Sequence, residues 1–207
     1  MPRTDGEGPD VATPRRGRPG YDLPTLLEAT VEVFNKKGFD GTSMEDLSRR
    51  LGISKSAIYH HVASKDELLD LAVSRALDGL GDAMAHSRDL EGSAVARLEH
   101  LIRASVHVLV ERKPFVTLLL RVRGNTEVER RALQRRRTFD QYCAKLVMEA
   151  AADGAVRPDI DPAVTARLLF GMVNSLIEWA RPQTDQDVEL LADAVWALAF
   201  DGMRDRG

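Results

Sequence analysis

Apolar residues recur every three or four positions along most of this chain, the period of helices lying on a shared core. The clearest stretch runs over residues 42–65, TSMEDLSRRLGISKSAIYHHVASK. Met44, Leu47 and Leu51 fall on one face of a short helix that Thr42 or Ser43 can cap, and Gly52 supplies the left-handed residue that ends it. Ile53 then turns to the core and Ser54 can cap a second helix, KSAIYHHV, whose Ala57, Ile58 and Val62 face inward. Upstream, Leu23, Leu27, Val31 and Phe34 predict a helix over residues 23–37, with Pro24 in its first turn, Gly38 as terminator, Phe39 packed back and Asp40-Gly41 as the turn. Downstream, Ser64 caps a helix to about residue 85, and Asp66 and Glu67 sit at its positive end. Residues 87–93 read as a loop. Further helices are expected at 94–111, 114–123, 126–153, 162–180 and 185–203, separated by Gly124-Asn125, Gly154, Pro158-Asp159 and Arg181-Pro182. With no alternating β-branched run bounded by turns, the expected class is all-α, with about nine helices.

Composition narrows this little: 43% apolar and 29% charged residues in 207 are ordinary for a globular protein. No apolar run approaches the roughly 18 residues that span a bilayer, and the N-terminus lacks the apolar core of a signal peptide, so an intracellular, cytoplasmic protein without membrane contact is expected. The single cysteine, Cys143, has no partner for a disulfide and reads as a small buried hydrophobe.

Charge changes the picture more. The net charge is −3, yet residues 15–65 carry nine basic against six acidic side chains. From Leu47 to Lys65 every Lys, Arg, Asp or Glu is basic: Arg49, Arg50, Lys55 and Lys65. Two short helices crossing over a Gly-containing turn form a helix-turn-helix, whose second helix enters the DNA major groove. Here its open face carries Lys55, Ser56, Tyr59 and His60, a donor-rich set suited to base edges and phosphates. Residues 1–20, rich in Gly and Pro and closed by Arg15, Arg16 and Arg18, read as a disordered basic arm, either entering a minor groove or serving as a solubilising tail.

The run F34-N-K-K-G-F-D-G-T-S-M-E-D-L47, then L51-G-I-S-K-S-A-I-Y-H-H-V62 and S64-K-D-E-L-L69, resembles the DNA-binding head of the TetR family over about residues 22–69. The resemblance implies base contacts from Lys55, Ser56 and Tyr59. It also implies phosphate contacts from Thr42 or Ser43, from His60 or His61, and from Lys65. His61 lies close enough to the Ile58 side of the helix to be a half-buried packing residue instead. The resulting organisation is a helix-turn-helix domain at 21–66 and a ligand-binding and dimerisation domain at 67–207. The resemblance further implies that the last two helices, with Val164, Leu168, Met172, Ser175, Leu176 and Trp179, then Leu190, Leu191, Ala194, Val195, Leu198 and Ala199, form a four-helix interface with a second copy; plain core is the other reading.

No Ser/His/Asp set, phosphate loop or HExxH pattern argues for catalysis. His100 and His107 lie seven apart, too far to share a metal unaided, and no cofactor is called for. Arg130, Arg131, Arg135, Arg136 and Arg137, with Arg121 and Arg123 before them, are either a solvated face paired with Glu127, Glu129 and Asp140 or a phosphate-binding rim. Phe115, Leu119, Phe139, Met148, Phe170, Met172 and Trp179, with Asn174 and Glu178 as polar members, are either core or the lining of an effector cavity beside Arg121, Arg135 and Arg136. The stretch from Gly154 to Trp179 resembles TetR-type repressors that respond to acyl-CoA thioesters. The expectation is a homodimeric repressor that binds double-stranded operator DNA and is released by a small molecule, first an acyl-CoA; the alternatives are an efflux-type repressor sensing a hydrophobic drug and a helical ligand-binding protein that does not touch DNA.

Overall fold

The computed structural model describes residues 22–204, so the basic arm expected over 1–20 lies outside the described residues. Within them the chain forms α1 (Leu23–Lys37), α2 (Met44–Leu51), α3 (Lys55–Tyr59), α4 (Lys65–Asp89), α5 (Ala94–Glu111), α6 (Lys113–Arg121), α7 (Glu127–Ala152), α8 (Pro162–Trp179) and α9 (Asp185–Met203). Every one of these except α6 begins on an Asp, Ser or Thr whose side-chain oxygen accepts an N–H of the first turn. These caps satisfy donors that the helix itself leaves unpaired, which is why the boundaries follow the sequence so closely.

Helices α1, α2 and α3, closed by the first turns of α4, bury Leu26, Val31, Phe34, Leu47, Ile58 and Leu68 at the head end of the hydrophobic core. The turn between α2 and α3 rests on Gly52 at φ 67°, a left-handed conformation that costs glycine nothing. Between α1 and α2, Phe39 meets Phe34 edge-on with centroids 5.3 Å apart. Lys65, the first residue of α4, lies 4.2 Å above that Phe39 ring and donates to the Phe39 and Thr42 carbonyls at 2.8 and 2.9 Å. The α1–α2 loop is thereby tied to the start of α4.

Helix α4 does not stop near residue 85. It continues to Asp89, because Ser87 is fully buried, donates to the Arg97 carbonyl at 2.9 Å and lies 3.0 Å from the Tyr142 hydroxyl. Around it the body is a bundle in which α5 packs against α4, α7, α8 and α9. Gly79 allows α4 and α5 to approach closely, since a Cβ there would meet Arg112 Nη1 at 2.7 Å, and that guanidinium donates to the Arg75 carbonyl. Arg103 pairs with Asp193 at 2.5 Å and His107 with Glu189 at 3.1 Å, fixing α9 against α5. Cys143 is fully buried, and burial, with Asp140 nearby, pushes its thiol up to about 12. Head and body also touch through α6, where Asn35 donates to the Pro114 carbonyl at 2.8 Å and Arg121 donates to the Asn35 carbonyl.

The α6–α7 loop folds around one buried carboxylate: Glu129 accepts the N–H groups of Gly124, Asn125 and Thr126. Truncation would leave several donors unpaired at once, so Glu129→Ala should lose about 2–4 kcal/mol of unfolding free energy in urea titration. Lys65→Ala should lose about 1–3 kcal/mol, the worth of charged donors to two carbonyls plus an aromatic face, while Lys65→Met, which keeps the stem on Phe39, should lose less. Equal stability of wild type and Lys65→Ala would show that the loop holds without this tie.

Candidate functional site

The open face of the helix-turn-helix is built by capping. Ser43 starts α2 in a reciprocal capping box with Asp46, Ser54 starts α3, and the Ser54 and Ser56 hydroxyls lie 2.8 Å apart. Lys55, Ser56, His60 and His61 are exposed beside Tyr59, which is 49% exposed with no core role. His61 is therefore not the half-buried packing residue that its helical angle allowed. Helix α3 ends at Tyr59; His60 keeps helical backbone angles and bonds back to the Ser56 carbonyl, and His61 follows in a tighter turn bonded to the Ile58 carbonyl.

Three residues expected on this face have hydroxyl or ammonium donors engaged within the fold. Thr42 is 2% exposed and its hydroxyl donates to the Gly38 carbonyl at 2.7 Å, while Ser43 is exposed but its hydroxyl donates to Asp46 Oδ2 at 2.7 Å and accepts the Asp46 N–H at 3.1 Å. Lys65 directs two of its three ammonium donors into the loop described above, leaving one for any phosphate.

Glu45, in the first turn of α2, carries a carboxylate on the same face, and Lys55 donates to it. Each holds the other charged: the Lys55 hydrogen bond lowers the Glu45 carboxyl and the Glu45 hydrogen bond raises the Lys55 ammonium. The basic stretch beginning at Leu47 excludes Glu45 by two positions, and the ten-residue spacing to Lys55 gives no periodic signal, so the pair was not legible. The neighbouring Asp46 is different, since the Lys37 ammonium at 2.7 Å and the Ser43 backbone and hydroxyl hold its carboxyl far below the usual range.

In the body, Leu119, Phe139, Phe170 and Asn174 do come together around a cavity among α4 to α8, with the two rings edge-on at 4.9 Å. Its free volume to a water-sized sphere is about 40 Å³, room for a few waters. Arg136 and Asp140, one turn apart on α7, supply charge at its edge. Partial burial raises the Asp140 carboxyl, against the opposing pull of Arg136 and Arg167.

The other expected members are not there. Phe115 is buried against α4 with the Arg75 guanidinium 4.7 Å above its ring. Glu178 is exposed at the end of α8, and Met148 and Trp179 are 56% and 61% exposed. Arg121 belongs to the joint between α1 and α6. Arg135 pairs with Asp78 of α4 at 2.5 Å and lies 3.5 Å from Ser74, while Arg131 pairs with Asp70 at 3.3 Å. The arginine cluster is thus divided: Arg130 meets Glu127 as expected, Arg136 edges the cavity, Arg131 and Arg135 reach α4, and Glu129 serves the loop.

On α8 and α9 the exposed apolar residues form two stripes, Val164, Leu168 and Trp179 on one helix and Leu190 and Leu198 on the other, at 47–72% exposure. Leu176, Val195 and Ala199, expected beside them, are buried in the bundle instead. Among the described residues no group of three His, Cys, Asp or Glu could hold a metal ion, and no helix is long and apolar enough to cross a membrane.

Residues 26–72 match the family described as "Bacterial regulatory proteins, tetR family", and residues 91–203 match "Tetracyclin repressor-like, C-terminal domain". The crystal structure of SCO3833, a TetR transcriptional regulator family member from Streptomyces coelicolor A3, is 52% identical and superposes with a TM-score of 0.82, covering 87% of this chain and 92% of that one. The HTH-type transcriptional repressor KstR2 of Mycobacterium tuberculosis is 24% identical over 190 residues, 88% of this chain and 92% of that protein. AibR, solved in complex with isovaleryl coenzyme A and operator DNA, is 24% identical with a TM-score of 0.72, covering 86% of this chain and 97% of that one. A family match that spans more than half of the chain, on a helix-turn-helix capped and turned as described above, makes this protein a member of the TetR family of transcriptional regulators.

Proposed function

We propose that this regulator is a homodimeric repressor that binds a near-palindromic operator through residues 21–66 and is released by a small molecule held in residues 67–207. The observation that carries the reading is the open face of α3, where Lys55, Ser56 and Tyr59 stand free of the core at the end of the helix that enters a major groove in this architecture. His60 and His61, the remaining donor of Lys65, and Ser43 once its hydroxyl turns away from Asp46, supply the flanking phosphate contacts. The occupant of the α8 and α9 stripes is a second copy of the chain, because a two-fold dimer pairs like surfaces and sets two reading helices on half-sites about 34 Å apart. The protein works by binding without catalysis, in the cytoplasm where its DNA is.

For the effector, the apolar cavity with Arg136 at its edge supports an acyl-CoA thioester, a ligand with a greasy acyl group and a phosphorylated nucleotide. The AibR complex with isovaleryl coenzyme A shows such a ligand in a protein of similar fold. At about 40 Å³ the cavity is closed to an acyl chain, so binding must part its walls. Those walls include Leu80 of α4 and the segment of α7 whose Arg131 and Arg135 grip α4, which gives ligand entry a route to the spacing of the two heads. A ligand shifts that spacing only by preferring the opened state.

Against the duplex enriched from a randomised pool by the wild-type protein, Tyr59→Ala should weaken binding by about 1–3 kcal/mol while the thermal transition stays in place. Equal, weak binding of the wild type to every sequence would instead favour a helical ligand-binding protein without a DNA role. Titrated into the protein–operator complex, acyl-CoA esters should release the DNA and the matching free acids should not. Arg136→Ala should raise the required concentration at least tenfold with operator affinity unchanged. Release by neutral hydrophobic drugs alone would favour the efflux-type regulator.

A further inference from the structure

Glu45 places a negative charge on the surface that faces a polyanion. Its neighbour Asp46 is explained by the fold, because it caps α2 and holds Lys37. The ion pair of Glu45 is with Lys55, across the gap between α2 and α3. Both side chains are about half exposed, at 55% and 49%, so the pair adds little to stability. Its geometry matters more. Lys55 opens α3, the end of the reading helix that meets base edges, and its ammonium is a point charge on a flexible four-carbon stem. Left alone, such a side chain would turn to the nearest phosphate, where the potential is deepest, and contribute affinity for any sequence.

Resting on the DNA-binding reading above, we propose that Glu45 is a positioning residue for sequence discrimination: its carboxylate holds the Lys55 ammonium over the base edges and keeps it from the phosphates. Docked in the groove, the ammonium keeps Glu45 as one partner and directs its remaining donors to guanine O6 and N7. The carboxylate also repels the backbone wherever Lys55 lacks its base partner. The pair therefore penalises non-operator DNA more than operator DNA, a specificity made by repulsion as well as attraction.

The test measures binding of wild type, Glu45→Gln, Lys55→Ala and the double variant to the enriched operator and to a random duplex across a salt series. Glu45→Gln should raise random-duplex affinity at least threefold, steepen its log–log salt slope by about one as Lys55 takes up a phosphate, and cut the ratio of operator to random affinity about tenfold. In the Lys55→Ala background the same substitution should leave that ratio unchanged, because the carboxylate acts through the lysine. An equal gain on both duplexes, or an undiminished effect without Lys55, would mark Glu45 as mere surface charge and overturn the proposal. A wild type that binds operator and random duplex alike fails the DNA-binding reading itself, and the proposal with it.

Discussion

Helix α4 is one unbroken hydrogen-bond ladder, and the rest of the molecule hangs from it. Its 25 residues span about 37 Å at 1.5 Å each. Its first turns close the head core through Leu68 and Leu69, and its remainder lines the body through Ala72, Ala76, Leu77 and Ala83. No flexible linker separates the two parts. Any reorientation of the head must carry α4 with it or break helix, and the body grips α4 at Asp70 and Asp78, two turns apart on one side. The boundary placed at residue 66 falls inside α4, and the buried side chains run on from head to body as one hydrophobic cluster.

The second mechanical link is α6, which enters without a side-chain cap and meets α1 through Asn35, Pro114 and Arg121. Head position is therefore set from two directions, by a shared helix and by a lateral contact. Gly79 keeps α4 and α5 close enough for the Arg112 guanidinium to cross over α4 and bond to the Arg75 carbonyl. Arg75 in turn covers Phe115. A short chain of contacts thus runs from α5 through α4 to α6, one turn of helix from the cavity wall at Leu80.

What could be read from sequence was local. Ser43, Gly52, Ser54 and Ser64 act on residues three or four positions away, so caps and turns written in the chain reappear in the fold. Most of the failures are long-range, and the local one, at Thr42, turns on how α1 ends. Thr42 and Ser43 are equivalent as text, and only the carbonyl of Gly38, placed by the end of α1, decides which one is buried. Ser87 looks like loop until Tyr142, 55 residues on, arrives beside it. The arginines of α7 read as a rim because their carboxylate partners lie 57 to 61 residues earlier, and nothing in a helical wheel of α7 points to them. Of the expected cavity residues, Leu119, Phe139, Phe170 and Asn174 converge because they fall on inward faces, while Phe115 falls on a face claimed by α4.

The small volume of the cavity bears on timing. On the proposed reading, a cavity of about 40 Å³ admits an acyl ligand only as the bundle opens, which slows association well below the rate of simple encounter and slows escape likewise. On that reading the regulator would respond to the average supply of its effector over the lifetime of the complex. Brief fluctuations in concentration would pass without changing transcription.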